Sequence, residues 1–136
     1  MLNSQLIDAP DRVPLEAEKQ LAWLRDELVQ AEASGARHLL VFQHHPYFLT
    51  SASEEDQYFN IAGETRAVYL DLFKGAGVEA VLAGHYHRNA YGRDGKLEMI
   101  TTGPVGKPLG RDPSGFRIVK VGKGALEHEY FALQRP

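Results

Sequence analysis

Four of the six histidines in this 136-residue chain fall into two tight groups, His44-His45 and His85-Tyr86-His87. Neutral imidazole is a good ligand for zinc, iron, copper and nickel, so such groups are candidates for a metal site. Each group closes a short apolar run, LLVFQHHP in the first case and VLAGHYHRN in the second. Ligands of open α/β sheets gather at the carboxyl ends of strands, so neighbouring strands would deliver both groups to one crevice. Side chains alternate along an extended chain, so either His44 or His45 faces that crevice. His85 and His87 converge only if the backbone bends between them, and Gly84 is expected to supply that freedom. A lone histidine at a strand end is more often a capped or solvated residue. His38 and His128 are expected to be of that kind.

The elements that must position these residues follow from the pattern of apolar residues and breakers. Leu2 to Ile7 is short and partly apolar, a candidate strand broken by Asp8-Ala9-Pro10-Asp11. Pro14 suits a first helical turn, and Leu21, Leu24, Leu28 and Ala31 recur at helical spacing until Ser34-Gly35. His38 to Phe42 is a buried strand by its apolar run, and Ser51 to Asn60 is a long acidic loop. The spacing predicts a second helix over Ala62 to Phe73, with Val68, Tyr69, Leu72 and Phe73 toward the core and Gly75 and Gly77 ending it. Val78 to Ala83 is the next strand. The period then changes: Asp94-Gly95 predicts a hairpin turn between Ala90–Gly92 and Leu97–Thr102. Phe116 to Val121 and Ala125 to Leu133 alternate apolar with polar about a turn at Gly122-Lys123-Gly124. The expected class is mixed α/β, strand–helix–strand–helix–strand followed by antiparallel strands, in a single domain over residues 1–136.

Composition narrows the functions. Hydrophobic residues make up 43% and charged residues 24%, values that allow a packed core and exclude a disordered chain or a coiled-coil rod. There are 15 Lys+Arg against 18 Asp+Glu and no basic block. Nucleic-acid binding, which needs a positive surface to displace phosphate counterions, is not expected. No apolar run approaches the roughly 20 residues of a membrane span, so no membrane partner is expected. Cysteine is absent, which removes disulfides, thiolate catalysis and thiolate zinc sites. No secretory signal is visible at the N-terminus, and the expected compartment is the cytoplasm.

Taken together, FQHHP, GHYHRN and the later TTGPVGKPLGRDPSGFR resemble the C-terminal half of the calcineurin-like metallophosphoesterases. Within that superfamily the resemblance is greatest to the calcineurin-like phosphoesterase domain proteins of Ser/Thr phosphatase type. Gly84 to His87 matches Gly-His-x-His, the last metal motif of the superfamily. The resemblance implies an αββα sandwich of two mixed sheets with a two-metal centre at the strand ends. It also implies divalent cofactors (manganese, iron or zinc) and a phosphorylated small-molecule or protein substrate. His44 and His85 then resemble ligands of the second metal and His87 a ligand of the first, whereas His45 falls at a position without a ligand role. The superfamily motifs Asp-x-His, Gly-Asp-x-x-Asp and Gly-Asn-His-Asp/Glu have no counterpart in this sequence. Those motifs carry the bridging aspartate and the histidine acid, so no catalytic residue is assigned here.

That departure has a physical cost. Two dications about 3.5–4 Å apart repel, and neutral histidines alone do not offset the repulsion. At most one weakly held metal is expected on the isolated chain. The acidic run Glu54-Glu55-Asp56 could approach the site, although such runs are usually solvated faces. Arg88 and Asn89 follow the metal motif and are candidate substrate-binding residues, Arg88 as a bidentate phosphate donor. Hydrogen bonding within the loop is the equal alternative for each. A half-sandwich leaves apolar surface uncovered, so a homodimer, or association with a missing N-terminal half, is expected. Two functions follow: a metal-dependent phosphoesterase with an incomplete site, or a non-catalytic module that assembles but hydrolyses nothing.

Overall fold

The computed structural model describes residues 1–133. Helices α1 (Gln5–Asp8) and α2 (Pro14–Ala33) precede strand β1 (Leu40–Phe42), and α3 (Gly63–Gly75) leads to β2 (Ala80–Ala83). Strands β3 (Ala90–Asp94), β4 (Leu97–Thr101), β5 (Gly115–Val121) and β6 (Leu126–Ala132) complete the order. Four strands form one sheet in the order β1-β2-β4-β3, and β5 pairs with β6 as a separate two-stranded ribbon. β1, β2 and β4 are mutually parallel, and β3 runs antiparallel at the edge. The strand–helix–strand–helix–strand expectation therefore holds except at its first element.

Leu2 to Ile7 is not a strand. Asn3 Oδ1 accepts the Gln5 N–H, and the Ser4 carbonyl accepts from Ile7 and Asp8, so local bonds wind the segment into α1. One vestige of strand pairing remains: the Leu2 N–H donates to the Phe42 carbonyl, which docks the segment on the edge of β1. The α2 helix starts at Pro14, which needs no hydrogen-bond partner for its nitrogen, and stops at Gly35 in a left-handed conformation. The α3 helix begins with the Gly63 N–H held by Asp56 Oδ1. Its buried face is Arg66, Tyr69, Leu70 and Phe73, so Leu70 takes the inward place expected of Val68, which is exposed. The hairpin turn also lies one residue later than expected. Asp94 pairs with Leu97, and the loop is Gly95-Lys96 with a positive φ at Gly95.

The register sorts the sheet residues by face. Val41, Val81 and Met99 form one row across the parallel strands, and they share a core with Leu24, Leu28, Tyr69, Leu70 and Phe73 from the helices. β2 is central and lies within near-continuous apolar sequence, as a parallel strand covered on both sides requires. Gly92 extends the same row on β3, where the Thr50 carbonyl passes so close that any Cβ would overlap it. The opposite row, Phe42, Leu82, Ile100 and Tyr91, meets the ribbon at its far end. There the His128 and Tyr91 rings are 5.6 Å apart, and Arg117 Nε donates to Thr102 Oγ1. The near end, around Phe42 and Leu82, opens into a cavity of about 600 Å³ that Leu2 and Val119 also line.

Two polar fixtures hold the segments that flank the site. In the first, His38 Nδ1 lies 3.0 Å from Glu79 Oε2 and Nε2 lies 2.7 Å from the Gly122 carbonyl. Beside it Arg37 donates to the Lys123 carbonyl, so both side chains grip the turn of the ribbon. The Glu79 hydrogen bond, the Gly122 carbonyl and the Glu79 charge raise the His38 pKa above 6.5, against burial and Arg37. In the second, Glu54 accepts the N–H groups of Leu49, Thr50 and Ser51 and the Asn60 side-chain amide. Burial opposes its charge, but these donors outweigh it and hold the carboxyl at about 2. The acidic run joins no candidate metal group among the described residues: Glu54 staples the loop, exposed Asp56 binds Arg66 and the start of α3, and Glu55 is exposed.

These fixtures titrate in opposite directions. The raised folded-state pKa of His38 makes its contribution complete below about 6.5, the unfolded value, and lost as pH rises through the folded value. The stability difference between wild type and His38→Gln in urea melts should therefore shrink as pH rises across that window. Glu54 is depressed, so its contribution is present above the ordinary 4.5 and lost as pH falls toward 2. Glu54→Gln should cost about 1–2 kcal/mol at neutral pH, discounted for partial exposure. That difference should vanish in acid; a pH-independent difference would show that the carboxylate charge is not what holds the loop.

Candidate metal centre

The β1–β2 pairing continues beyond both strands. Gln43 N–H donates to the Leu82 carbonyl and Gly84 N–H to the His44 carbonyl, so the two histidine-bearing ends leave the sheet side by side. His44 Nε2 and His85 Nδ1 consequently face each other at 3.2 Å. The bend expected of Gly84 is made elsewhere: His85 and His87 themselves adopt positive φ, 61° and 56°. Such a conformation costs a non-glycine residue on the order of 1 kcal/mol or more, and it clusters at functional sites. Repeating it at both histidines is how an i,i+2 pair turns out of the strand path.

Backbone carbonyls fix both rings of the motif. His85 Nε2 sits 3.2 Å from the Tyr58 carbonyl, to which its N–H donates, leaving Nδ1 with a lone pair toward His44. His87 Nδ1 sits 2.8 Å from the Lys107 carbonyl and donates there, leaving Nε2 with its lone pair. Metal-ligating histidines are held in this way, with the non-ligating nitrogen on a carbonyl. Burial first, then the neighbouring His85 and His87, lowers the His44 pKa, which favours the neutral ring that metals require.

The donor set fits a cation. Two nitrogens bound cis to one ion at about 2.0–2.1 Å lie roughly 3–3.4 Å apart, the range in which His44 and His85 already stand. His44, His45 and His85 present ring nitrogens within 4.8 Å of one another. His87 lies outside that group. No carboxylate joins the cluster among the described residues.

The two residues after the motif go different ways. Arg88 lies over the Tyr86 ring, 5.3 Å from its centroid, and its Nε is buried without a partner. Asn89 organises the loop: its N–H donates to Asp112 Oδ2, and its Oδ1 accepts from the Gly103 N–H and from Arg117. His128 accepts from Arg117 at Nδ1 and lies away from the cluster. Sequence reasoning missed Ser4, whose hydroxyl contacts the His44-His45 backbone, and the carbonyls of Tyr58 and Lys107. A carbonyl has no sequence signal, and Ser4 lies 40 residues from His44 along the chain.

No protein-family model matches the sequence. Curated relatives do: the human serine/threonine-protein phosphatase CPPED1 is 42% identical over 134 residues, covering 98% of this chain and 43% of its own length. The zebrafish (Danio rerio) protein of the same name is 42% identical over 135 residues, 99% of this chain and 44% of its own. The chain thus spans less than half the length of the curated relatives it matches. Among solved structures, one titled "GAP50 the anchor in the inner membrane complex of Plasmodium" superposes with a TM-score of 0.79 at 15% identity. That superposition covers 96% of this chain and 43% of the other, and it shows the shared fold. Similarity this extensive over nearly every residue bears out the resemblance drawn from FQHHP and GHYHRN: the chain is homologous to somewhat under half of the serine/threonine-protein phosphatases named CPPED1.

Proposed function

We propose that the chain is the histidine-bearing part of a metal-dependent phosphoesterase acting on a phosphorylated small molecule or protein. His44 and His85 hold one divalent ion, and His87 offers its Nε2 to a second. The observation that carries this reading is the 3.2 Å approach of His44 Nε2 to His85 Nδ1, made by two rings from different strands. The relatives' name supports phosphoprotein as a substrate. Manganese, iron and zinc all suit the imidazole set. Divalent ions at this place would supply Lewis-acid polarisation of phosphoryl oxygens. The chain's own residues position the rings, favour the neutral form of His44, and place Arg88 beside the motif as an anion donor, with Asn89 shaping the loop that carries it.

The site is incomplete on this chain, and its surface suggests how it is completed. Anionic ligands are needed to hold two dications together, and the cluster contains none among the described residues. Phe42 is 45% exposed beside half-buried Leu82 at the open cavity, an apolar surface that an added layer would cover. A second copy of the chain, or the remainder of a longer phosphatase, is the partner proposed for that face. The non-catalytic reading, in which the chain only assembles, is favoured by the same missing carboxylates.

Isothermal titration with manganese or zinc should detect weak binding to wild type and none to the double variant His85→Ala, His87→Ala. Equal uptake by both proteins would place any metal elsewhere. Light scattering should report a species larger than a monomer, and aryl-phosphate hydrolysis by the same sample should be slow or absent. A stable monomer with brisk hydrolysis would overturn the incomplete-site reading.

A further inference from the structure

His45 is the third member of the cluster by distance, with its ring centroid 4.3 Å from that of His85 and 4.8 Å from that of His44. Proximity alone would make it a third metal ligand. The hydrogen bonds around it argue otherwise. Ser4 is 2% exposed, and its hydroxyl meets three groups at once: the His44 N–H at 3.2 Å, the His45 N–H at 2.9 Å and His45 Nδ1 at 2.9 Å.

A hydroxyl oxygen has two lone pairs and one proton. The two backbone N–H groups can only donate, so they occupy both lone pairs. The remaining contact must use the hydroxyl proton, and His45 Nδ1 must accept it. A proton on Nδ1 would bring a third donor onto an oxygen with no lone pair left. The neutral ring therefore carries its single proton on Nε2. With Nδ1 held as an acceptor by Ser4, that proton has no other ring nitrogen to move to, so His45 does not free Nε2 for a cation, whereas nothing holds the second nitrogen of His44 in this way among the described residues.

We infer that Ser4 fixes His45 as a hydrogen-bond donor beside the metal centre and thereby excludes it from the ligand set. The inference rests on the metal-centre reading for its purpose, but the tautomer stands on the Ser4 geometry alone. It converts a cluster of three similar rings into two ligands and one N–H donor. Such a donor matches an acceptor with no protons of its own, and a phosphoryl oxygen is the acceptor the proposed activity would bring there. Ser4 is then a positioning residue: it acts through His45 and the backbone of the first histidine group. This also gives α1 and its docking on β1 a role in the site, since that segment carries Ser4.

Two-bond ¹H–¹⁵N correlation spectra of the metal-free protein read the tautomer directly. His45 should appear as the Nε2–H form, and an Nδ1–H form would overturn the inference. Zinc added to the same sample should shift the ring nitrogens of His44 and His85 and leave those of His45 as they were. A coordination shift at His45 matching theirs would also overturn it. If zinc moves none of the three, the metal-centre reading fails, while the metal-free spectrum still decides the role of Ser4. Zinc affinity should fall at least about tenfold in His44→Gln and change less than about threefold in His45→Gln. Equal losses would make His45 a ligand. In Ser4→Ala the His45 tautomer should become mixed, and Ser4→Thr, which keeps the hydroxyl, should restore it. A wild-type tautomer in Ser4→Ala would show that Ser4 does not set it.

Discussion

Everything at the site depends on the parallel pairing of β1 with β2. Parallel strands run in the same direction, so their carboxyl ends finish at the same edge of the sheet, and whatever follows each strand emerges beside the other. Here the ladder runs one step further on each side, through the Gln43 and Gly84 N–H groups, before the chains diverge. That extra step separates two nearby loops from two rings at a fixed distance. An antiparallel pair would have sent His44 and His85 to opposite ends of the sheet.

A second layer of control comes from segments that are remote in sequence and contribute only backbone or hydroxyl groups. The loop stapled by Glu54 presents the Tyr58 carbonyl, the segment near Gly106 presents the Lys107 carbonyl, and α1 presents Ser4. The ribbon joins in through Arg117, which reaches Asn89 directly after the histidine motif. The ribbon is itself seated by Arg37 and His38, immediately before β1. The residues flanking β1 on both sides thus organise the site, His44 inside it and His38 through the ribbon.

The sequence made the strand ends and the histidine groups legible because apolar runs and breakers are local signals. His44, His85 and the two helices could be read that way. Three features could not. The α1 helix was obscured because three apolar residues in six, Leu2, Leu6 and Ile7, satisfy a strand pattern as well as a helical one, and a side-chain bond from Asn3 helps decide between them. Val68 and Leu70 exchanged places because the face a helix buries is set by what it meets, here the row Val41, Val81 and Met99. The role of the acidic run was hidden because carboxylates facing backbone N–H groups look, in sequence, like carboxylates facing water.

The left-handed backbone at His85 and His87 has a consequence for how the centre can be dismantled. The strain belongs to the turn and not to the imidazoles, so it persists when a ring is removed. Alanine at either position would still carry the steric penalty of its Cβ, and a β-branched residue would carry more. Asparagine tolerates this region far better, and glycine is indifferent to it. The gentlest way to remove either ring is therefore one that respects the backbone's handedness, so that a change in metal uptake is not confused with a shifted loop.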